Sequence, residues 1–494
     1  MDEVLLIFGN QLFAPQYLAD HKRATVVLVE DRQLCTRYTY HKQKLIFMLT
    51  AMRSYAKCLR DAQFSVRYFA LDDECDWQAA VAKVASQLGA KKLIHFEVES
   101  AHLTASVAGF AESREMALEV LQTPMFLGPV EDFSEHLAGY KRPLMQRFYK
   151  QQRVRHDVLL TPVGEPVGGQ WSFDEMNRKK LPKTVLPQEP PVYAPSALEV
   201  EVEKDVATYF GRHPGAPGPL WLPVTHADAL RWFEHFLEAR LYHFGAYEDA
   251  LTTRSTFVFH SAISPLLNVG LLTPRQVLDL TLSYAVDNDI PLNSTEGFVR
   301  QILGWREFMR GIFHTYGETM RLGNHWRAGR KLTPAWYEGN TGLPPLDHVI
   351  TKTVKYGWAH HIERLMVMAN LMNLSGIHPS EVYRWFMEMY VDAYAWVMVP
   401  NVFGMGLTSD GGIFSTKPYI CGSNYLLKMS DYRRGPWCDV VDGLFWGFVQ
   451  EHRTALKTNH RLAPMIANLD RVKTKRPEIF RLGEEFIDKN TLPY

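Results

Sequence analysis

The chain of 494 residues is 46% hydrophobic and 12% aromatic, long enough for two or three domains with sizeable cores. Its 54 Lys and Arg are matched by 54 Asp and Glu, so net charge excludes a general attraction to nucleic acid or membrane, and any such partner has to meet a local patch. No run approaches the roughly 18 apolar residues of a membrane span. The opening "MDEVLLIFGNQLF" has an acidic pair where a secretory signal needs a basic end, and the five scattered cysteines read as reduced thiols; a cytoplasmic protein with no membrane partner is expected. In chain order, "EVLLIF", "TVVLVE", "SVRYFA" and "KKLIHFE" read as strands alternating with the helical stretches "KQKLIFMLTAMRSYAKCLRDA" and "WQAAVAKVASQLGA". That alternation predicts a parallel sheet covered by helices over residues 1–130. Ligands of such sheets sit beyond the carboxyl ends of strands, which points to the loops beginning "FGNQ" and "VEDRQLCTRYTYHKQK"; no G-x-G-x-x-G follows the first strand.

Residues 131–220 begin with a basic segment and become rich in Pro and Gly, as in "TPVGEPVGGQWSF" and "HPGAPGPLWLP", which predicts an extended connector. Residues 221–494 carry long helical patterns, among them "THADALRWFEHFLEARL", "STEGFVRQILGWREFMRGIFHTYG", "HHIERLMVMANLMNLSG" and "PSEVYRWFMEMYVDAYAW". The fold class expected is an α/β N-terminal domain followed by an all-α C-terminal domain.

Tryptophans concentrate in the helical part (Trp305, Trp326, Trp336, Trp358, Trp385, Trp396, Trp437 and Trp446). Core packing accounts for most aromatics on helices; a planar cofactor or a chain of redox-active rings are the other readings. Arg300, Arg306, Glu307 and Arg310 interrupt an otherwise apolar helix and need partners, either one another or a ligand with phosphates. Ser261 and Ser264 are helix caps or phosphate donors. "GYKRPLMQRFYKQQRVRHD" interleaves Lys141, Arg142, Arg147, Lys150, Arg153 and Arg155 with aromatic rings, which suits a nucleic-acid backbone with exposed bases or a solvated helix face. His360 and His361 sit side by side in a helical pattern with no H-E-x-x-H spacing, so no metal site is expected; they are a structural pair or a proton donor and its neighbour.

Taken together, "FGNQL", "YHKQKLIFMLTAMR", "PVGGQWSFDEMNR", "EGFVRQILGWREFMRG", "AHHIERLMVMANLMNLSGIHP", "VDAYAWVMVPNVFGM", "DGGIFSTKPYICGSNYLLKMSDY" and "NHRLAP" resemble the prokaryotic (6-4) photolyases, the iron-sulfur bacterial cryptochromes and photolyases, over essentially the whole chain. The resemblance implies an antenna domain, a helical domain holding FAD, and blue-light electron transfer from reduced flavin to a (6-4) lesion flipped out of ultraviolet-damaged DNA. It places His360 and His361 as the catalytic pair, with His361 the principal proton donor, and Ser261, Ser264, Arg306, Arg364 and Asp392 in the flavin site. Trp396 with Trp336 or Tyr337 would form the photoreduction relay. Glu30, Asp31 and Cys35 would adjoin a 6,7-dimethyl-8-ribityllumazine antenna, and Lys141, Arg142, Arg147, Lys150 and Arg153 would meet DNA.

Two departures stand out. The family's four-cysteine [4Fe-4S] site has no counterpart: "NTGLPPLDHVI" lacks a cysteine, with Pro345 near the expected place, and the segment after "MSDY" keeps only Cys438. No cluster is expected, with Pro345, a shortened loop and Trp437 filling the space. Met398 stands where relatives carry a polar residue near the flavin. A monomeric repair enzyme is the leading expectation; its rivals are a signalling cryptochrome and a cyclobutane dimer photolyase.

Overall fold

The computed structural model describes residues 3–140, 142–216, 218–415, 417–459 and 462–494. Five parallel strands, β1 (Glu3–Leu6), β2 (Thr25–Val29), β3 (Ser65–Phe69), β4 (Lys92–Phe96) and β5 (Ala117–Leu121), form one sheet in the order β3-β2-β1-β4-β5. β1 lies between β2 and β4 with Leu5 opposite both Val26 and Ile94. The two faces are used separately, as the period of two requires. Leu5, Val26, Leu28 and Ile94 join the large core shared with the helical part, whereas Val4, Leu6 and Val27 pack with Trp77, Val81 and Phe110 beneath the outer helices. β5 has no counterpart among the expected strands: it is an edge strand whose Leu118 and Val120 remain exposed around Glu119, so its sequence carries little apolar signal.

The connector is less extended than its composition predicts. Ala197–Phe210 is a helix capped by Ser196, and Val202, Val206 and Phe210, spaced four apart, bury one stripe where it packs on the Lys42–Asp61 helix. Beyond it the chain is helical except for a short antiparallel ribbon of Arg330–Leu332 with Thr491–Pro493. The two halves are tied through the backbone: Leu12 N–H donates to Val269 O at 2.8 Å, and Leu12 O lies 2.9 Å from His226 Nε2.

Two segments that read as ordinary helix, Arg300–Arg306 and Glu363–Ala369, are π-helical, as is Pro400–Gly406, for which no helix is expected. Single π turns of this kind re-aim side chains and recur at functional sites. The helix expected across 379–396 also breaks. It runs Pro379–Met389, leaves Tyr390 to Tyr394 non-helical, and resumes at Ala395–Val399. Asp392 sits in that break.

Candidate active site

The Pro344–Tyr356 helix ends at Gly357, whose φ of +60° suits glycine and whose added Cβ would lie 2.6 Å from Val391 Cγ1. Val391 N–H donates to Gly357 O at 2.8 Å, so this turn fixes the Trp358–His361 stretch against the Tyr390–Tyr394 break. The histidine pair therefore lies at the start of a helical run, with His360 before it and His361 on its first turn, not inside it as the pattern suggests. His360 is fully buried and stacks on His260 (ring centroids 4.8 Å apart, planes 12° apart). Neither ring nitrogen of His360 has a hydrogen-bond partner among the described residues. Burial, Lys352, His361 and Arg364 hold it well below the usual imidazole range. His361 has exposed side-chain surface, yet the surrounding protein and Arg364 push its pKa down to about 4.

Arg364 and Asp392 form a bidentate pair, Nη1 to Oδ1 at 2.8 Å and Nη2 to Oδ2 at 3.0 Å. Arg364 also lies 4.0 Å over the Tyr390 ring and donates through Nε to Ala359 O at 2.6 Å. Ser264 Oγ donates to Asp392 Oδ2 at 2.5 Å, and Asn268 Nδ2 donates to Asp392 O at 2.9 Å. Arg306 donates to Asn268 Oδ1 at 2.6 Å, and burial pulls its pKa down to about 10. Arg364, Asp392, Ser264 and Arg306 thus meet in one network, with Asn268 as the link the sequence reading lacks. Ser261 stands apart by its side chain; its carbonyl accepts from Trp232 Nε1 at 2.9 Å. Lys44, from the α/β half, is also unanticipated: its buried ammonium donates to Ala393 O at 2.6 Å between the rings of Tyr40 and Tyr394. Burial lowers its pKa to about 7, against the pull of Asp392. Arg300 and Arg310, by contrast, are held by protein carboxylates, Glu296 and Glu99.

The aromatic candidates separate. Trp396 packs edge-on to Phe126 and under Arg306, with 4.8 Å between ring and guanidinium. Trp336 is fully buried and donates to Asn490 O at 2.8 Å, so it faces the C-terminal helix. Tyr337 belongs to a different run: Tyr390 lies 5.5 Å from Trp385, and Trp385 lies 6.3 Å from Tyr337, which is partly exposed and donates to Glu388. Trp385 was legible only as one more core tryptophan.

Other sequence candidates are used by the fold itself. Glu30 is buried and accepts from Arg53 at 2.7 and 2.9 Å, from Tyr68 Oη at 2.5 Å and from Leu71 N at 3.0 Å, which leaves it no capacity for a ligand. Asp31 caps the Arg32–Thr36 helix and accepts from Trp77 N. Both are engaged by the fold, and Cys35 beside them is partly exposed, with its thiol raised to about 12 by burial and the two carboxylates. Arg153 is corrected: it is fully buried and its guanidinium donates to the carbonyls of Val158, Leu159 and Trp171, so it cannot face DNA. Arg142, Arg147 and Lys150 are exposed; Arg147 lies over Tyr140 and Lys150 over Trp171, each at 4.5 Å. Lys141 lies outside the described residues. In the segments that the resemblance aligns with the family's cluster site, Tyr432 bridges His348 and Trp437 at ring distances of 6.2 and 6.3 Å, Pro345 is buried at the start of the His348 helix, and Cys438 is buried. Met398 is buried, 4% exposed.

Two family models match this chain: "Deoxyribodipyrimidine photo-lyase-related protein" over residues 5–221 and "FAD binding domain of DNA photolyase" over residues 298–417. A (6-4) photolyase of Agrobacterium fabrum is 35% identical over 489 residues, 96% of either chain. The chain belongs to the photolyase family. Solved structures of a class III photolyase from Agrobacterium tumefaciens (TM-score 0.57, 17% identity, 83% of this chain and 81% of that one) and of a Synechocystis cryptochrome (TM-score 0.58, 15% identity, 92% and 89%) share its fold. It is accordingly an FAD-binding photolyase-family protein, and no helix among its described residues is long and apolar enough to cross a membrane. The residues present fit FAD: cations suited to a diphosphate, a carboxylate fixed by Arg364, and buried imidazole nitrogens still without partners among the described residues.

Proposed function

We propose that this photolyase-family protein is a light-dependent (6-4) photolyase. The observation that carries the reading is the position of His361: it is exposed one residue from His360, which is buried and stacks on His260, and three from the Arg364–Asp392 pair. Similarity over nearly the full length of a (6-4) photolyase supports the same lesion class. When bound and reduced, FAD supplies the electron on absorbing blue light. Arg364, Asp392, Ser264, Asn268 and Arg306 would hold it, the carboxylate suited to accept a hydrogen bond from its ring and the cations suited to its negative groups. At neutral pH His361 carries no extra proton in the free protein, because burial and Arg364 push it to about 4. Negative charge arriving with DNA, and then with the transferred electron, draws a proton onto it, so protonation of the donor is coupled to substrate binding. His361 would then give that proton to the lesion and recover it as the intact bases form, the transferred electron returning to the cofactor so that the repair is redox-neutral. The basic surface of Arg142, Arg147 and Lys150, with Tyr140 and Trp171 beneath two of them, receives the DNA backbone.

Photoreduction runs through Tyr390, Trp385 and Tyr337, in place of a relay of Trp396 with Trp336 or Tyr337, of which only Tyr337 is kept. These rings are in succession from Arg364 to a partly exposed tyrosine. The protein acts as a monomer, with a lumazine antenna beside the Cys35 loop and no iron-sulfur cluster, the His348–Tyr432–Trp437 rings packing where one would otherwise sit. Iron analysis of pure protein tests the last point, and four iron atoms per chain would refute it. Blue-light repair of a defined (6-4) oligonucleotide tests the function.

A further inference from the structure

Three groups converge on one oxygen of a buried carboxylate. Glu363 Oε2 accepts from Lys352 Nζ in a close ion pair and from the His360 backbone N–H at 3.3 Å, and it lies 3.4 Å from His360 Nε2 outside hydrogen-bond geometry. Lys352 and Glu363 are both buried, Lys352 on the Pro344–Tyr356 helix and Glu363 at the start of a π-helical segment. A buried carboxylate needs a compensating cation. Two are within reach, the Lys352 ammonium and a protonated His360, and only one is needed.

We propose that Lys352 is a positioning residue for His360: by occupying Glu363 Oε2 it stops that carboxylate from drawing a proton onto the His360 ring. The inference rests on the histidine pair being the proton-handling centre. It accounts for a His360 ring that lies 3.4 Å from a carboxylate and is nevertheless held in its neutral form. It also explains how two histidine rings stack in parallel inside the protein, since a neutral pair avoids the repulsion of two imidazoliums. Glu363 has already been neutralised from the other side.

The groups around His360 act in the same direction. Lys352 on the preceding helix, and His361 and Arg364 on its own element, all disfavour a charge on it. His260, on the loop before Ser264, is itself held neutral by burial and by His360. Beyond Glu363 lie His348 on the Lys352 helix and Tyr432 and Asp431 from the segment after the Ser423–Met429 helix, and the Tyr390 ring lies under Arg364. Glu363 is the anion closest to the His360 ring among these, and Lys352 decides whether it is available.

The test is a titration of holoprotein labelled with [13Cε1]histidine, the His360 resonance being identified by its loss in His360→Asn. In the native protein His360 should remain neutral across the neutral range. In Lys352→Met its midpoint should rise by about one to three pH units, the usual scale for exposing a group to an adjacent opposite charge. The double variant Lys352→Met with Glu363→Gln should return it to neutral. If Lys352→Met does not retain flavin absorbance, Lys352→Gln keeps a hydrogen-bond donor on the carboxylate without the charge and is expected to give the same rise. A His360 that stays neutral in a flavin-retaining Lys352→Met or Lys352→Gln protein overturns the proposal. The pH profile of single-turnover repair should move with the resonance. Because the titration needs no DNA, absence of repair in the native protein would sink the functional reading while leaving the Lys352 assignment to be judged on its own.

Discussion

Two buried polar clusters, one in each half of the molecule, are built from the same residue types and finished differently. In the α/β half, Glu30 receives Arg53, Tyr68 and a backbone N–H, and Arg53 also reaches Glu201 and Asp205. In the helical half, Asp392 receives Arg364 and Ser264, but His360 and the neighbouring His260 keep buried nitrogens without partners among the described residues. Buried polar groups are nearly always paired, so the completed cluster reads as structure, whereas the unpartnered imidazole nitrogens beside Arg364 and Asp392 require a reason, which a bound cofactor would supply. Glu30 and Asp31 resemble ligand residues in the sequence because they follow a strand of a parallel sheet. Their surroundings show that the fold has already used them.

This contrast is open to direct attack. The largest expected effect is at the incomplete cluster: His361→Ala should reduce repair by about 10²–10⁴-fold, the range for a general acid or base, while flavin absorbance is retained. Repair at the native rate would remove the proposed donor. Asp392→Ala breaks a buried, bidentate pair and strands Arg364, so about 3–5 kcal/mol of stability and most of the bound flavin should be lost, read by thermal melting and by flavin stoichiometry. Arg53→Ala should destabilise by a similar amount because it strands Glu30, but repair per bound flavin should be unchanged; a selective loss of repair would make the α/β cluster functional after all. Trp385→Phe should slow photoreduction by about tenfold (~1.4 kcal/mol) or more, and Trp396→Phe by less; the reverse order would restore the Trp396 relay.

The smallest effect concerns Lys44, which joins the two halves. Its pKa in the folded protein is about 7 against an ordinary 10.5, with burial as the main cause. Below pH 7 the folded protein bears the full cost of the buried charge. Between pH 7 and 10.5 the unfolded chain binds more protons than the folded one, so stability rises with pH. Melting temperatures of the native protein should therefore rise relative to Lys44→Met between pH 7 and 9, and parallel curves would contradict the assignment.

Much of the architecture was legible because it depends on period. The alternation of β-branched runs and helices in residues 1–130 predicts the parallel sheet, and the 3.6-residue patterns beyond 221 predict the helical half. What was not legible lies where period is locally broken. Two of the π-helical turns keep the composition of an ordinary helix, so "EGFVRQILGWREFMRG" and "HHIERLMVMANLMNLSG" gave no sign of them. The break at Tyr390–Tyr394, which delivers Asp392, contains no Pro or Gly. Arg153 shows the opposite difficulty: its neighbours Lys150 and Arg147 are exposed, and only the turn back to Val158 and Leu159 supplies the carbonyls that bury it. Of the site itself, the residue types were visible, but the partners that give them roles, His260, Asn268, Lys44 and Trp385, come from distant segments and leave no local signature.

The central claim is the (6-4) activity, and its most direct test is blue-light treatment of an oligonucleotide carrying one defined (6-4) lesion, using protein with fully reduced FAD, alongside a cyclobutane dimer and dark controls. The account predicts restoration of the (6-4) strand in light only, with the cyclobutane dimer untouched. Repair of the cyclobutane dimer instead, or of neither lesion, would contradict it.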